Sequence, residues 1–535
     1  MLKELRCNKL ATGKLEFEAG LNALVGPEDG ANSIGKSSVL MLIDFALAGD
    51  DFISLCSDVM DNVGAITIEM DFIFGGEKYC FARSTNDPKI VVFLSEDEKP
   101  EKSVDEYRSF LKKNYIFPEE GASFRGAVNP FFRIWGKEND NPNKPLNSFP
   151  SEPYQKIKPN LLKLFSFYGV LKSLEKEKTA TSKKKSILKG AFDEGYIKSL
   201  TKREKEKSEK RIEEVESEIN EIKKVIEAHS INANKIISKE NFKIKAEKDA
   251  LVRSLFQLKS RQKRIETNLT YGSAVNKKHF DKLEEYFPEV NSGRLTKVEQ
   301  FHSGVSKILK AELRYEKQIL DDQVKELEFE ISEADKRLLE STGMIEKPSG
   351  LVDKMLDLSF EERSLRDQIR FRDIKSSIDT EVVTISEKIT EKTTQSLASI
   401  ESKLNSKMAE YISIFYEGKP VTPQIKLSET RYEFKHNEDS GTGKAYANMV
   451  ALDMSILEET YLPILIHDLI VFSNIEDHAI EAILEEYSVA NKQVFIALDK
   501  LGRFKNEIQK LVKEKEFLAL DSKTLAFGQS WKKRT

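Results

Sequence analysis

The pattern of apolar and polar positions divides the chain into three parts. Residues 1 to about 165 carry short β-type runs at Leu15–Glu18, Ala65–Phe74 and Lys89–Leu94, separated by Gly, Pro and Asn turns. Gly75 and Gly76 lie between two alternating runs, which predicts a tight hairpin. From about 170 to 415, Lys and Glu dominate and long stretches are almost free of Pro and Gly. From about 420 onward β-type runs return at Gln424–Leu427, Arg431–Lys435, Leu462–Asp468, Gln493–Leu498 and Phe517–Leu520, alternating with helical segments.

The middle part repeats apolar residues at spacings of three and four. Ile212, Val215, Ile219, Ile222 and Ile226 form one run, and Leu251, Leu255, Leu258, Ile265 and Leu269 a second, with Gln262 in one core position. Leu320, Val324, Leu327, Ile331, Ala334 and Leu338 form a third, and Leu351, Met355, Leu358, Leu365 and Ile369 a fourth. A narrow seam of this period, with charge elsewhere, is what a left-handed coiled coil buries. Pro288 and Gly293 fall between the second and third runs and predict a reversal of the chain. The expected organisation is an N-terminal lobe over 1–165, an ascending limb over 166–285, an apex over 286–312, a descending limb over 313–418 and a C-terminal lobe over 419–535. A limb of about 75 continuous helical residues would reach on the order of 110 Å, and a break in the descending one is expected at Pro348 and Gly350.

Composition narrows the classes. Lys plus Arg total 85 and Asp plus Glu 89, so the near balance excludes a generally basic coat and leaves only local patches for DNA. No stretch approaches the roughly 18 apolar residues that span a membrane, and Met1–Leu10 reads as a first strand rather than a secretory signal. Cys7, Cys56 and Cys80 have no metal-ligand spacing. A reducing, cytoplasmic interior suits them.

One motif carries chemistry. Gly30–Ser37 fits G-x-x-x-x-G-K-[ST], after the apolar run Leu21–Gly26 and before the helical run Val39–Gly49. Gly30 and Gly35 let the backbone curl so that successive N–H groups converge on phosphate oxygens at a helix N-terminus. ATP contacts are expected from Gly30, Asn32, Ser33, Ile34, Gly35, Lys36, Ser37 and Ser38. Lys36 would reach the β- and γ-phosphates, and Ser37 would ligate Mg²⁺. The acid that completes a Mg²⁺ shell is expected at a strand end, and Asp468 after Leu462–His467 is the candidate. Gly441 and Gly443 precede the helix Ala445–Leu457 and make a second glycine-rich helix start.

Taken together, this resembles the ABC-type ATPases of the structural-maintenance-of-chromosomes (SMC) class and its RecN and RecF relatives, in which a coiled coil splits two lobes of one head. Asn32–Asp51, Gly441–Tyr446 and Leu462–Asp468 look most like an uncharacterised bacterial branch, whose members are often encoded with effectors in mobile or anti-phage loci. The resemblance implies an α/β P-loop head with a long antiparallel coiled-coil insertion, closing as a homodimer. ATP on Lys36 of one head would be capped by Ser440, Gly441, Thr442 and Gly443 of the other. It implies DNA at the coil roots, an accessory or effector protein as partner, and no membrane.

Departures from the class bear on catalysis. Leu469 follows Asp468 where the class carries a Glu, so hydrolysis is expected to be slow, with His467 or Asp499 as substitutes. Asp499 also stands where the class has a switch His. The Q-loop residue is Gln155 or absent, and the D-loop acid is Glu476 or Asp477. The zinc clamp of hook-bearing relatives is excluded because no Cys follows Cys80, and His279 and His302 read as surface or packing residues. Lys183, Lys184, Lys185, Lys202, Arg203, Lys205, Lys207, Lys210 and Arg211 form the expected DNA patch, interleaved with Glu204, Glu206 and Glu209. Arg125 and Arg133 are candidates to read nucleotide or DNA, whereas Phe131, Phe132 and Trp135 read as core. Beyond an ATPase that couples head closure to DNA and an effector in antiviral defence, two alternatives stand: an ATP-gated scaffold without turnover, and a RecN-like repair ATPase.

Overall fold

The computed structural model describes residues 1–30, 34–95, 99–118, 121–195, 197–234, 239–271, 292–342, 349–418, 420–437, 441–521 and 523–528. Contacts divide the chain into a unit of Met1–Glu177 with Ile385–Thr535 and a second unit of Lys178–Thr384. The fold is α/β with a long helical insertion.

In the first unit, β1 (Leu2–Arg6) and β2 (Lys14–Glu16) lead into β3 (Gly20–Val25). After the helix Lys36–Ala46 come β4 (Thr67–Phe74), β5 (Glu77–Ser84), β6 (Ile90–Phe93), β7 (Glu101–Ser103) and the two-residue β8 (Phe132–Arg133). The C-terminal part adds β9 (Gln424–Leu427), β10 (Tyr432–Lys435), β11 (Ile464–His467), β12 (Gln493–Leu498) and β13 (Glu516–Ala519). Six strands form an antiparallel sheet in the order β2-β1-β4-β5-β6-β7. Its β4–β5 turn is the Gly75–Gly76 hairpin, with both glycines at positive φ.

The second large sheet is parallel, in the order β13-β3-β12-β11-β8. Its central strands are buried along their length, so β3, β11 and β12 read as continuous apolar runs. β3 lies between β12 and β13, which places the first 25 residues of the chain between two strands from its last 45. Neither end can build this sheet alone. Gln493 fastens the two sheets: its buried side chain accepts from the Leu2 N–H at 3.0 Å and donates to the Leu2 carbonyl at 2.8 Å.

In the second unit, the helices Lys239–Tyr271 and Ser292–Thr342 pack antiparallel. Lys248 pairs with Asp335, Lys259 with Glu328, Gln262 with Asp321 and Glu266 with Lys317, so partners run in opposite directions. The helix Lys202–Asn234 meets Ser349–Phe415 in the same sense, through Lys205–Asp373, Arg211–Glu361 and Glu216–Arg366. Exposed pairs of this kind contribute about 0–1 kcal/mol each. The buried seam contributes more: Val215, Ile219, Ile222 and Leu358 form one cluster, at about 2 kcal/mol for each fully buried side chain. Ile265, Leu320, Val324 and Ala334 are buried at the predicted positions as well.

The ascending limb is interrupted: one helix ends at Asp193, with Gly195 at φ 74°, and the next starts at Lys202 behind a Thr201–Glu204 capping box. Glycine followed by Thr-x-x-Glu is a stop and a start signal, and it lies before the first heptad run begins at Ile212. In the descending limb one helix ends at Thr342 and the next begins at Ser349, on either side of the expected break, and Pro348 itself lies outside the described residues. So do His279 and residues 286–291 of the expected apex, and the stretch Phe301–Leu309 belongs to a 51-residue helix that contains His302.

Candidate nucleotide site

The site is assembled where β3 ends. The Gly26 N–H donates to the Leu498 carbonyl at 2.7 Å, which keeps β3 and β12 paired to the rim. The Gly30 N–H then donates to the Pro27 carbonyl, and the loop enters the helix Lys36–Ala46 through Gly35. Gly35 sits at φ 97°, and a Cβ there would lie 2.5 Å from the Ala526 Cβ. Both the backbone angle and the close approach require glycine. The Ala526 N–H donates to the Ile34 carbonyl at 3.1 Å, and the Ala526 carbonyl accepts from the Ala11 N–H at 2.9 Å. The segment after β13 is thereby fastened beneath the loop.

Lys36 is the first residue of the helix and is 7% exposed. Its Nζ lies 2.8 Å from both carboxylate oxygens of Asp499, which is itself nearly buried at the end of β12. The Ser37 hydroxyl donates to Asp468 Oδ2 at 2.6 Å. Asp468, 2% exposed, also accepts the N–H groups of Trp135 at 3.0 Å and Leu469 at 2.8 Å. Burial pushes its pKa up, against the pull of the Ser37, Trp135 and Leu469 hydrogen bonds.

A buried carboxylate beside a hydroxyl at a helix N-terminus fits a hard divalent cation. Mg²⁺ completes its octahedron with phosphate and water oxygens and needs few protein ligands. Among the described residues no group of three His, Cys, Asp or Glu is poised for a metal. The helix start supplies partial positive charge for a phosphate, and Lys36 supplies a full one.

Of the other expected contacts, Gly30, Ile34 and Gly35 lie on the loop and Ser38 hydrogen-bonds the Cys56 thiol. Asn32, Ser33 and Ser440 lie outside the described residues. Gly441 is the N-cap of the helix Thr442–Glu459, and Gly443 packs against the Asn474 carbonyl. Gln155 is exposed in the first turn of the helix Tyr154–Leu164, and among the described residues no hydrogen bond links it to the site. Glu476 caps the helix Asp477–Val489, and Asp477 pairs with Arg503 at 3.2 Å.

His467 does not face the loop. Its side chain is fully buried, with Nδ1 2.6 Å from the Tyr487 hydroxyl and Nε2 2.9 Å from Asp453. Burial depresses its pKa, and both ring nitrogens are occupied. The geometry makes it a structural residue rather than a base, because successive side chains on a strand point to opposite faces. Arg133 belongs to the same network: it is wholly buried and binds both oxygens of Asp453 and the carbonyls of Asn139 and Pro145. Arg125 pairs with the buried Asp44 at 2.6 Å. Neither arginine is presented to nucleotide or DNA. Phe131 and Phe132 are core as expected, but Trp135 is 67% exposed beside Asp468. Gly136 at φ 93° marks a turn after β8, a signal readable in the Trp135–Gly136 pair and overlooked among the aromatics.

In the second unit, Lys185, Lys205 and Arg211 are engaged by Asp379, Asp373 and Glu361. Lys183, Lys184, Lys202, Arg203, Lys207 and Lys210 are exposed.

Comparison with known proteins gives three findings. Residues 384–524 match a family described as an uncharacterised protein conserved in bacteria. No curated protein matches the chain. Similar solved structures include the Smc head domain with a coiled coil and joint from Pyrococcus yayanosii, at 13% identity and TM-score 0.42, covering 97% of this chain and 94% of that one. Another is the Smc head domain with an extended coiled coil bound to the C-terminal domain of ScpA, from Pyrococcus furiosus, at 10% identity and TM-score 0.34, covering 96% and 91%. Among the described residues no helix is long and apolar enough to cross a membrane.

Proposed function

We propose that this chain is an SMC-like ABC ATPase that binds Mg·ATP at Gly30–Ser38. The observation that carries the reading is the convergence of both chain ends on one loop: Lys36 with Asp499 at 2.8 Å and Ser37 with Asp468 at 2.6 Å. In this reading the loop N–H groups and Lys36 hold the phosphates, and Ser37 and Asp468 hold Mg²⁺. The bound cation neutralises charge on the β- and γ-phosphates. The segment Ser440–Gly443 caps the nucleotide of a second copy, so that closure makes a homodimer. Asp499, once released from Lys36, is the acid at this rim available to orient water. Turnover is slow because Leu469 stands where a carboxylate would follow Asp468, and a positioned base contributes roughly 10²–10⁴-fold.

The exposed Lys183, Lys184, Lys202, Arg203, Lys207 and Lys210 give this reading a salt-sensitive, sequence-independent DNA contact. A partner protein or effector, a role in bacterial antiviral defence and a cytoplasmic site belong to the same proposal. The test is a pair of variants. Lys36→Ala abolishes Mg·ATP binding, whereas Gly441→Asp binds as a monomer but fails to dimerise, because its carboxylate faces the γ-phosphate. ATP-dependent dimers of Gly441→Asp, seen by light scattering, would refute the capping assignment.

A further inference from the structure

The turn that carries Asp499 carries an adjacent cation of opposite orientation. Lys500 adopts a left-handed backbone, φ 55° and ψ 54°, a conformation that a residue with a side chain rarely takes. The turn is tied to the loop at 26–30 from outside: both Glu28 carboxylate oxygens accept the Gly502 N–H, at 2.9 and 3.1 Å. As a result the Lys500 side chain lies across Gly30. A Cβ on Gly30 would meet Lys500 Cε at 2.7 Å and Nζ at 3.4 Å. Gly30 is itself at φ 67°, so the two residues are fitted to each other across the mouth of the loop.

Charge completes the argument. Lys36 is already neutralised by Asp499, and Asp468 is buried against Ser37. Lys500 is exposed; its carbonyl accepts from the Arg503 N–H at 3.2 Å, and among the described residues no hydrogen bond or ion pair engages its ammonium. A phosphate chain arriving at this loop therefore meets a free ammonium at Lys500 before it can reach Lys36.

We propose that Lys500 is a second phosphate-binding cation of this site, held over Gly30 by the turn that sets Asp499 against Lys36. The inference rests on the nucleotide-binding reading above and extends it to a residue outside the loop motif. It also orders events: the phosphates engage Lys500 at the rim, then displace Asp499 from Lys36.

The full-length protein tests this by titration with Mg·ATP and with AMP at several salt concentrations. Lys500→Gly suits the left-handed backbone, so the turn keeps its shape while the ammonium is lost. The expected result is roughly tenfold weaker Mg·ATP binding, equivalent to about 1.4 kcal/mol, with a shallower salt dependence and an unchanged melting temperature. Lys500→Arg restores affinity, and AMP, which lacks the β- and γ-phosphates, is bound equally by all three proteins. Wild-type Mg·ATP affinity and salt dependence in Lys500→Gly would overturn the proposal. Absence of Mg·ATP binding in wild type, Lys500→Gly and Lys500→Arg alike would instead bring down the nucleotide reading, and this inference with it.

Discussion

Replacing Asp499 by Asn should make the empty head less stable and its grip on nucleotide tighter. The wild-type pair is nearly dry, with side chains 7% and 8% exposed and two contacts of 2.8 Å. Removing one partner of a buried pair costs about 3–5 kcal/mol, chiefly because the remaining charge stays buried and uncompensated. Asn keeps a carbonyl oxygen for Lys36 to bond, so about 2–3 kcal/mol is the reasonable share here. At roughly 1.5 °C per kcal/mol for a unit of about 330 residues, the ligand-free melting temperature should fall by about 3–4 °C. Bound phosphates restore the missing counter-charge, so the lost free energy reappears in binding. About 2 kcal/mol corresponds to roughly thirtyfold tighter Mg·ATP. Differential scanning fluorimetry with and without Mg·ATP, followed by calorimetric titration, measures both quantities on one sample. If Asp499→Asn melts with wild type and binds ATP no more tightly, the Lys36–Asp499 pair carries no weight in the resting state.

Two further perturbations probe the scaffold. Asp453→Ala strips the acceptor from fully buried Arg133 and from His467, and should cost about 3–5 kcal/mol; a melting curve close to wild type would mean that the network carries little. Asp71 is raised by burial but held lower, at about 2, by hydrogen bonds from Arg6 and Lys78. Because its folded pKa is depressed, its contribution of about 2 kcal/mol is complete above about pH 4 and is lost as pH falls toward 2. Asp71→Asn should flatten the stability profile in that window only, and parallel wild-type and variant profiles would show that the ion pairs do not set it.

How much of this was legible in the sequence follows the range of the forces involved. Periodicity is local, so the seam through Val215, Ile219, Ile222 and Leu358 could be read directly, as could the Gly75–Gly76 hairpin. The loop motif was legible for a similar reason, because its requirement for glycine at Gly35 is a backbone requirement. The capping box at Thr201–Glu204 is equally local, and it lies just ahead of the stronger heptad pattern that starts at Ile212. Orientation on β11 was harder. Asp468 and His467 are neighbours in sequence, yet one side chain turns to Ser37 and the other to Asp453, and the deciding partner, Arg133, is more than 300 residues away.

Contacts between distant ends decide the rest, and no spacing rule reports them. Nothing in Phe495–Asp499 announces that its last carboxylate will meet Lys36, because the pair depends on β12 lying beside β3 in register, Leu498 opposite Val25. That register also fixes where Lys500 falls: one residue past Asp499, in a turn held by Glu28, it must cross Gly30 rather than follow the strand. A shift of one residue in β12 would exchange the two, placing an ammonium against Lys36 and a carboxylate over the phosphate path. The order Asp499–Lys500 is therefore the part of this site most sensitive to sheet register, and the part that a motif confined to Gly30–Ser37 cannot contain.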